Sequence, residues 1–359
     1  MASAPLELLR DLVEIESPTY SPGVRRVAAR MAEELDALGG GTRMLEGDHV
    51  VAELDGAGEP LLLLGHTDTV WQEGTLETMP FRVEDGFAFG PGVYDMKGAL
   101  VLMIEAIRQA RSERRRALRV FLTADEEQGS RTARTAMAEA ADGAAAALVV
   151  EPPTAQGHLK TARKGLGRFH VAITGRPAHA GTSLVDGASA VEELAHQTIR
   201  LHALTDHERG VSVNVGVVHG GTVENVVAAY ADARLDVRVS QRADLERLER
   251  ALHSLTPVVD GTSIEVDGDW TRPPLERTPA GARMFERARE IGLGLGLDLQ
   301  EASSGGGSDA NLVAALGLPV LDGLGAEGRG AHAHDEQIRL DRLPVRTSLL
   351  AGLLEDPGL

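Results

Sequence analysis

The sequence LLLLGHTDTV at Leu61–Val70 indicates both the fold of the chain and the position of a candidate site. Four consecutive leucines followed by Gly65 are typical of a strand that is buried on both faces of a parallel sheet. The strand ends in His66 and Asp68, whose side chains can bind metal or transfer protons. Because ligands of open α/β sheets bind at the carboxyl ends of strands, this end is a candidate functional site. A buried histidine beside an ordinary turn aspartate is the alternative.

Two further apolar runs end in carboxylates in the same way. Arg119–Ala124 leads into an acidic triplet at 125–127, and Ala145–Val150 leads into Glu151. Amphipathic helical patterns alternate with these strands. The alternation predicts an α/β domain with a mixed, mostly parallel sheet and helices on both faces.

A change of pattern in the middle of the chain indicates a second domain. There the predicted order is strand, helix, strand, strand, helix, strand, which is typical of a ferredoxin-like α+β domain with an antiparallel sheet. Pro273-Pro274 marks the return to the first pattern. We therefore predict a discontinuous catalytic domain, 1–164 and 273–359, interrupted by a smaller domain at 165–272.

Two segments of the first domain have less regular patterns. Residues 71–94 are expected to form an irregular connection that ends in a glycine-rich turn before Asp95. Residues 297–301 are expected to form a strand, since leucines alternate there.

The composition limits the possible chemistry. The absence of cysteine excludes disulfides, thiolate metal sites and cysteine nucleophiles. A formal net charge of −18 repels phosphate backbones, and an aromatic content of 3% gives few surfaces for base stacking. The sequence contains neither a signal-peptide pattern nor an apolar run of about 18 residues. We therefore expect a cytoplasmic protein that binds neither nucleic acid nor membranes.

Side chains that can bind metal gather at the predicted strand ends and turns. They are His66, Asp68, Asp95, Glu126, Glu127, Glu151 and the cluster His332-Ala333-His334-Asp335-Glu336. Carboxylates packed together acquire raised pKa values unless a cation neutralises them, so a divalent metal site is the simplest interpretation. Imidazoles and carboxylates together suit zinc, cobalt or manganese better than calcium. A helix N-terminal cluster is the alternative for the triplet at 125–127.

Seven short motifs are spread over almost the full length. They are HTDTV at 66–70, GPGVYDMKG at 90–98, DEEQGS at 125–130, EPP at 151–153, GRPAHAG at 175–181, GGGSDAN at 305–311 and HAHDE at 332–336. In number, order and spacing they resemble the dizinc metallohydrolases that include glutamate carboxypeptidase, acetylornithine deacetylase and succinyl-diaminopimelate desuccinylase. The resemblance implies two Zn²⁺ per chain, with Co²⁺ or Mn²⁺ as alternatives, and a homodimer formed through the inserted domain.

The resemblance also implies the metal ligands. His66, Asp95 and Glu151 would hold one ion, Glu127 and His332 would hold the other, and Asp95 would bridge both. The family's spacing places the ligand four residues before the glutamate of the last motif, which selects His332 over His334. A solvated loop position is the alternative for His334.

Two further residues acquire catalytic roles from the resemblance. Asp68 would accept a hydrogen bond from the imidazole of His66 and fix its tautomer. Two ions about 3.5–4 Å apart can polarise a carbonyl and lower the pKa of a water molecule. Glu126 would then act as the general base that passes the proton to the leaving amine. The peptide bond between Asp95 and Met96 is expected to be cis.

The inserted domain would contribute the substrate contacts. His179 matches a histidine that reaches the partner subunit's site and stabilises the oxyanion. Asn225 and Arg238 match residues that bind the terminal carboxylate of the substrate. Arg272 and the glycines Gly305-Gly306-Gly307 before a helix are further candidates for binding this carboxylate.

Each of these residues also has a structural interpretation. His179 could be a surface-loop histidine, and Arg238 could form an exposed ion pair on a strand. Arg272 could act at the domain hinge. A nucleotide phosphate is the alternative ligand of the glycine loop, which however has neither the lysine nor the spacing of a P-loop.

The expected reaction is cleavage of an amide bond next to an amino acid with a free carboxylate, as in glutamate carboxypeptidase. Among similar proteins, a glutamate at the position of Glu151 is typical of carboxypeptidases and deacylases. The substrate would be a small peptide or an N-acyl amino acid. His158 replaces a lysine that contacts the glutamate side chain in glutamate carboxypeptidase, which argues against glutamate specificity. The alternatives are an N-acetyl or N-succinyl amino acid deacylase and a noncatalytic metal-binding dimer.

Overall fold

A computed structural model describes residues 3–359 of the chain. They fall into two compact units. Unit 1 comprises Met1–Thr161, Arg277–Ser303 and Ser308–Leu359, and unit 2 comprises Ala162–Glu276 and Ser304–Gly307. None of the helices in the described part of the chain combines the length and apolarity that a membrane crossing requires.

Helices and strands alternate through most of unit 1. The α-helices of the described residues are α1 Ser3–Glu14, α2 Pro22–Ala37, α3 Gly98–Gln109, α4 Arg134–Ala141, α5 Ala190–His202, α6 Ala243–His253, α7 Pro279–Gly294, α8 Asp309–Ala315 and α9 Leu343–Leu354. The strands are β1 Gly41–Met44, β2 Val50–Leu54, β3 Ala57–His66, β4 Arg82–Glu84, β5 Phe87–Phe89, β6 Arg116–Thr123, β7 Ala146–Val149, β8 Leu159–Arg163, β9 Gly165–Thr174, β10 Ser212–Gly220, β11 Tyr230–Val239, β12 Ser263–Arg272, β13 Glu301–Ser304, β14 Val320–Asp322, β15 Gly328–Arg329 and β16 Gln337–Arg339.

The largest sheet has eight strands in the order β1-β2-β6-β3-β7-β14-β8-β13. Its central strands β6, β3, β7 and β14 are parallel. Antiparallel pairs flank them, with β1 on β2, β2 on β6 and β8 on β14. The predicted mixed, mostly parallel sheet is thereby confirmed. Because β3, β6 and β7 are parallel neighbours, their carboxyl ends lie at the same edge.

The strand that the four leucines predict lies in the centre of the core. Leu61, Leu62 and Leu63 are fully buried, and Leu64 is 1% exposed. Each such side chain contributes roughly 1.5–3 kcal/mol relative to an exposed position. The helix α3 is also buried along most of its length. The strand end at His66 is therefore fixed on a rigid base.

Unit 2 has the element order β9-α5-β10-β11-α6-β12 that the sequence predicts. Its antiparallel sheet has the strand order β10-β11-β9-β12. Burial alternates along β9, so that Phe169, Val171 and Ile173 join one hydrophobic core. Leu194 of α5 and Leu248 of α6 belong to the same core. The predicted ferredoxin-like α+β domain is confirmed.

A third sheet, with the order β15-β16-β5-β4, overturns one local prediction. The segment 71–94 is not an irregular connection, because it contains the hairpin of β4 and β5. These strands have three residues each, and β5 pairs with β16 from the far end of the chain. Periodicity over such short segments carries too little signal to predict a strand.

The strand predicted at 297–301 is present, but it begins four residues further along the chain. The strand β13 begins at Glu301, whereas Leu297 and Leu299 lie before it and pack into the core of unit 1. Their alternation results from core packing of a non-strand segment.

Arg346 connects the loops that follow two strands of the large sheet. It is fully buried on α9. It donates hydrogen bonds to the carbonyl oxygens of Gly325 and Gly157, both at 3.1 Å, and of Gly323 at 2.5 Å. Burial lowers the pKa of Arg346 to about 10, so the side chain remains charged at neutral pH.

Replacement of Arg346 by methionine should lower the free energy of unfolding by about 3 kcal/mol or more. Three buried carbonyls would lose their donors, and each unpaired group costs roughly 1–3 kcal/mol. Urea denaturation would measure the loss. Arg339→Met is the control, because Arg339 is half-exposed and pairs with Asp341 at the surface. Its loss should stay below about 1 kcal/mol, and equal losses would contradict the structural role of Arg346.

Candidate metal centre

Three strand ends of unit 1 supply the first members of the centre. His66 is the last residue of β3, and Glu151 follows β7. The loop after β6 carries Glu126 and Glu127 in a short 3₁₀ turn. Because these strands are parallel neighbours, the side chains lie at the common carboxyl edge, as the sequence predicts.

The turn between β5 and α3 supplies Asp95. A single π-helical turn, Val93–Lys97, holds this residue, and its peptide bond with Met96 is cis. Gly92 has a φ of 72°, and a Cβ atom at this position would lie 2.5 Å from the side chain of Thr69. Glycine is therefore required where the chain turns toward the strand end.

The third sheet brings His332 to the same place. His332 lies in the loop between β15 and β16, and Gln337 of β16 pairs with Phe89 of β5. The loop therefore lies beside the turn that follows β5. His332 has a φ of 62°, a left-handed conformation that costs a non-glycine residue roughly 1–3 kcal/mol. Such strain is typical of residues with a functional role.

Asp95 has one oxygen facing each histidine. The Nε2 atom of His66 lies 3.1 Å from Oδ1 of Asp95 and 3.8 Å from Oε1 of Glu151. The Nε2 atom of His332 lies 3.5 Å from Oδ2 of Asp95 and 3.4 Å from Oε2 of Glu127. Within each group of three residues, the possible ligand atoms lie within 4.8 Å of one another. This is the arrangement expected for two ions that share one carboxylate.

The electrostatics of the cluster fit divalent cations. Oε1 of Glu127 is buried without a hydrogen-bond partner, and burial raises the pKa of this carboxyl. Hydrogen bonds with Asp95 and Glu127 raise the pKa of His332 to about 10. Burial opposes protonation of His66, but Asp68 and Asp95 raise its pKa well above the usual value. Metal ions would replace these protons, and nitrogen with carboxylate oxygen is a suitable donor set for zinc, cobalt or manganese.

Asp68 makes contacts that differ from those predicted. The backbone carbonyl of Asp68 accepts from Nδ1 of His66 at 2.9 Å, whereas the carboxylate oxygen Oδ1 lies at 3.4 Å. The carboxylate instead accepts from the backbone N–H groups of Glu126 and Glu127, both at 3.1 Å, and from the hydroxyl of Thr19 at 2.7 Å. Residue 68 thus orients the imidazole and also positions the acidic loop.

Asp309, for which the sequence predicts no role, joins the two ends of that loop. This carboxylate accepts from the hydroxyl of Thr123 at 2.6 Å and from the hydroxyl of Ser130. Asp309 lies in the motif GGGSDAN, two residues after its three glycines. Carboxylates therefore hold the segment that carries Glu126 and Glu127 at both ends.

Unit 2 places His179 and Asn225 side by side. His179 pairs with Val226 in a short antiparallel bridge, and the N–H of Ala180 donates to the carbonyl of Asn225 at 3.0 Å. Nδ1 of His179 accepts from the backbone N–H groups of Gly181 and Thr182 at 3.1 and 3.2 Å. The ring proton is therefore on Nε2, which is a hydrogen-bond donor in an exposed loop.

The remaining substrate candidates meet around the glycine loop of unit 2. Arg238 donates two hydrogen bonds to Asp236, at 2.7 and 3.0 Å, and a third to the carbonyl of Gly305 at 3.1 Å. Arg272 is 4% exposed. A Cβ atom on Gly307 would lie 2.7 Å from Cδ of Arg272, so a larger residue there would require the arginine side chain to move. A substrate carboxylate at Arg238 would compete with Asp236.

His158 and His334, which the sequence places outside the predicted ligand set, each have a structural partner in unit 1. Nδ1 of His158 accepts from the backbone N–H of Gln300 at 3.3 Å. The ring of His334 packs against Trp71, with 5.5 Å between the ring centroids.

Comparison with known proteins identifies the family. Residues 62–356 match the model of peptidase family M20/M25/M40. The chain belongs to this family. Carboxypeptidase G2 of Pseudomonas sp. (strain RS-16) is 30% identical over 377 residues, which cover 99% of this chain and 89% of that protein. The predicted resemblance is thus confirmed.

Two other comparisons extend over nearly the whole chain. Succinyl-diaminopimelate desuccinylase of Stenotrophomonas maltophilia (strain R551-3) is 27% identical over 98% of this chain and 99% of that protein. The crystal structure of aminopeptidase PepT from Bacillus cereus has a TM-score of 0.80 at 21% identity, covering 98% of this chain and 97% of that chain. The former relative supports the family and the latter the fold. The chain is therefore a metal-dependent hydrolase of peptide or amide bonds.

Proposed function

We propose that the protein is a two-metal carboxypeptidase that cleaves an amide bond next to an amino acid with a free carboxylate. The observation that carries the proposal is the position of Asp95, whose two oxygens face two separate histidine-carboxylate groups. The 30% identity to carboxypeptidase G2 supports the reaction type. Cytoplasmic localisation is part of the proposal.

Five residues would hold the metal ions. His66, Asp95 and Glu151 would bind one Zn²⁺, and Glu127 and His332 would bind the other with Asp95 shared. Co²⁺ or Mn²⁺ would satisfy the same donors. When bound, two such ions polarise the scissile carbonyl and lower the pKa of the attacking water.

The protein's own groups move the proton. Glu126 would take it from the attacking water and deliver it to the nitrogen of the leaving amine. Glu126 shares a short turn with Glu127, and this neighbourhood supports the proposed role. Asp68 would keep the backbone of this turn in place through its two amide hydrogen bonds.

The inserted domain, 165–272, would bind the substrate and form the homodimer. Nε2–H of His179 would donate to the developing oxyanion in the partner's site. Asn225 and Arg238 would bind the terminal carboxylate, with secondary contributions from Arg272 and the backbone of Gly306-Gly307. Unit 2 exposes large apolar side chains that a second copy would cover, including Val185, Ile199 and Val218.

An N-acetyl or N-succinyl amino acid deacylase is the second candidate. The similarity to succinyl-diaminopimelate desuccinylase favours it, as does His158 in place of the lysine of glutamate carboxypeptidase. A noncatalytic metal-binding dimer is less consistent with a complete ligand set beside Glu126.

A substrate panel would test the proposed reaction. Dipeptides and N-acetyl, N-succinyl and N-benzoyl amino acids would be assayed with Zn²⁺ or Co²⁺, each beside its C-terminal amide as a matched pair. The free carboxylate should raise kcat/KM by roughly 10²-fold, because charge-assisted hydrogen bonds to it would be lost in the amide. Equal turnover of each pair would contradict a carboxylate-directed enzyme, and the preferred acyl group would separate the two candidates.

A subunit-mixing experiment would test the role of His179. Inactive His179→Ala and inactive Glu126→Gln subunits should regain activity when mixed, because a heterodimer would contain one site with both residues intact. Random exchange would make half of the dimers mixed, so we expect up to about a quarter of the wild-type activity. Absence of recovery after demonstrated subunit exchange would contradict catalysis across subunits.

A further inference from the structure

Glu336 has an unusual set of hydrogen bonds in unit 1. The side chain is fully buried, and each of its oxygens accepts from two N–H groups. Oε2 accepts from Nε1 of Trp71 at 2.7 Å and from the amide of Gly92 at 2.8 Å. Oε1 accepts from the amides of Tyr94 and Asp95 at 2.9 and 3.0 Å. A carboxylate is the side-chain group that can accept all four at this position.

These hydrogen bonds join three segments that carry candidate metal ligands. Trp71 follows the end of β3, where His66 lies. Gly92 and Asp95 belong to the turn before α3. Glu336 itself closes the loop of His332, since its own amide donates to the carbonyl of Ala333 at 2.9 Å.

The two halves of the centre depend on Glu336 to different degrees. His66 ends β3 and Glu151 follows β7, so both lie at strand ends of the large sheet that its ladder fixes. His332, in contrast, lies in an exposed loop in a strained conformation, with a side chain that is 51% exposed. The hydrogen bonds of Glu336 to the turn of Asp95 join this loop to Asp95, beside the pairing of β16 with β5.

We propose that Glu336 is a positioning residue that sets the separation of His332 and Asp95, and so controls metal binding at the site formed by Asp95, Glu127 and His332. The proposal rests on the proposed function, because it assumes the two-metal centre. It gives Glu336, a residue without a predicted role, a selective effect on the binding of one of the two ions.

Glu336→Gln is the main test variant because it preserves size. Whichever way the amide is oriented, its NH₂ group faces two N–H donors, either those of Trp71 and Gly92 or those of Tyr94 and Asp95. We expect affinity for the Asp95-Glu127-His332 ion to fall by about 10–100-fold. Affinity for the His66-Asp95-Glu151 ion should change by less than about threefold, since two of its three ligands, His66 and Glu151, lie at strand ends that Glu336 does not contact.

Trp71→Phe separates positioning from charge. It retains an aromatic ring and the charge of Glu336 but removes one of the four donors. If Glu336 acts by positioning, this substitution, which changes no charge, should also lower the affinity for the Asp95-Glu127-His332 ion, by about three- to tenfold. If Glu336 acted through its charge alone, Trp71→Phe would bind both ions with the affinity of the wild type. Glu327→Gln is the matched control, because Glu327 binds Arg342 at 2.9 and 3.1 Å, and its metal binding should equal that of the wild type.

Calorimetric titration of the metal-free proteins with Zn²⁺ would measure both binding steps, with circular dichroism of each metal-free variant to verify folding. The positioning role is supported if Glu336→Gln and Trp71→Phe selectively lower the affinity for the Asp95-Glu127-His332 ion. It is overturned if Glu336→Gln binds both ions as the wild type does or weakens both equally, or if Trp71→Phe has no effect. Fewer than two Zn²⁺ bound by the wild type would instead refute the proposed function.

Discussion

Glu126→Gln should lower kcat by about 10³-fold while two metal ions remain bound per chain. The amide has the same size but cannot take a proton from water, and general base catalysis contributes roughly 10²–10⁴-fold. Glu126 belongs to neither of the two ligand groups, so metal binding should persist. Steady-state kinetics together with metal analysis by mass spectrometry would measure both properties.

The control for this experiment is Glu53→Gln, which makes the same change on the exposed side of β2. Its kinetics should match those of the wild type. Turnover by Glu126→Gln within a few fold of the wild type would show that another group carries the proton. Loss of metal from this variant would instead assign Glu126 to the ligand set.

Asp95→Asn should abolish binding of both ions and lower activity by at least about 10³-fold. The native carboxylate presents one oxygen to each histidine group, whereas asparagine has only one oxygen and directs an NH₂ group toward the other ion. Loss of the two-metal contribution removes several kcal/mol of transition-state stabilisation. Metal content after gel filtration and residual activity would be measured together.

Asp298→Asn provides the comparison, because Asp298 is exposed and lies outside both ligand groups. It should retain two ions and full activity. If Asp95→Asn also retained two ions with wild-type affinity, the shared-carboxylate arrangement would be incorrect.

The parts of the fold that depend on continuous apolar segments were predictable. Leu61–Leu64 could only be buried on both faces, and the parallel strands beside them follow from the alternation with helices. The small sheet of β4, β5, β15 and β16 was not predictable. Its strands contain two or three residues each, and the pairing of β5 with β16 joins distant parts of the chain. This pairing is nevertheless what brings His332 to Asp95.

The side chains of the candidate centre were largely named from the sequence, but their connections were not. Glu336 ends the motif HAHDE, but its role could not be predicted. Its four hydrogen-bond donors are backbone and indole N–H groups, which no residue pattern specifies. The orientation of His66 by a backbone carbonyl was missed for the same reason. Residue types indicate the chemistry of a site, whereas the backbone path decides how its members are held.

The discontinuity of unit 1 has a consequence for biosynthesis. His66, Asp95 and Glu151 are synthesised before unit 2, whereas His332 belongs to the segment Ser308–Leu359, which is synthesised after unit 2. The three residues of the first candidate group would therefore be present on a nascent chain before His332, which completes the second group. If metal binds during synthesis, the order of translation would thus favour loading of the His66-Asp95-Glu151 group first, with the shared carboxylate of Asp95 already present.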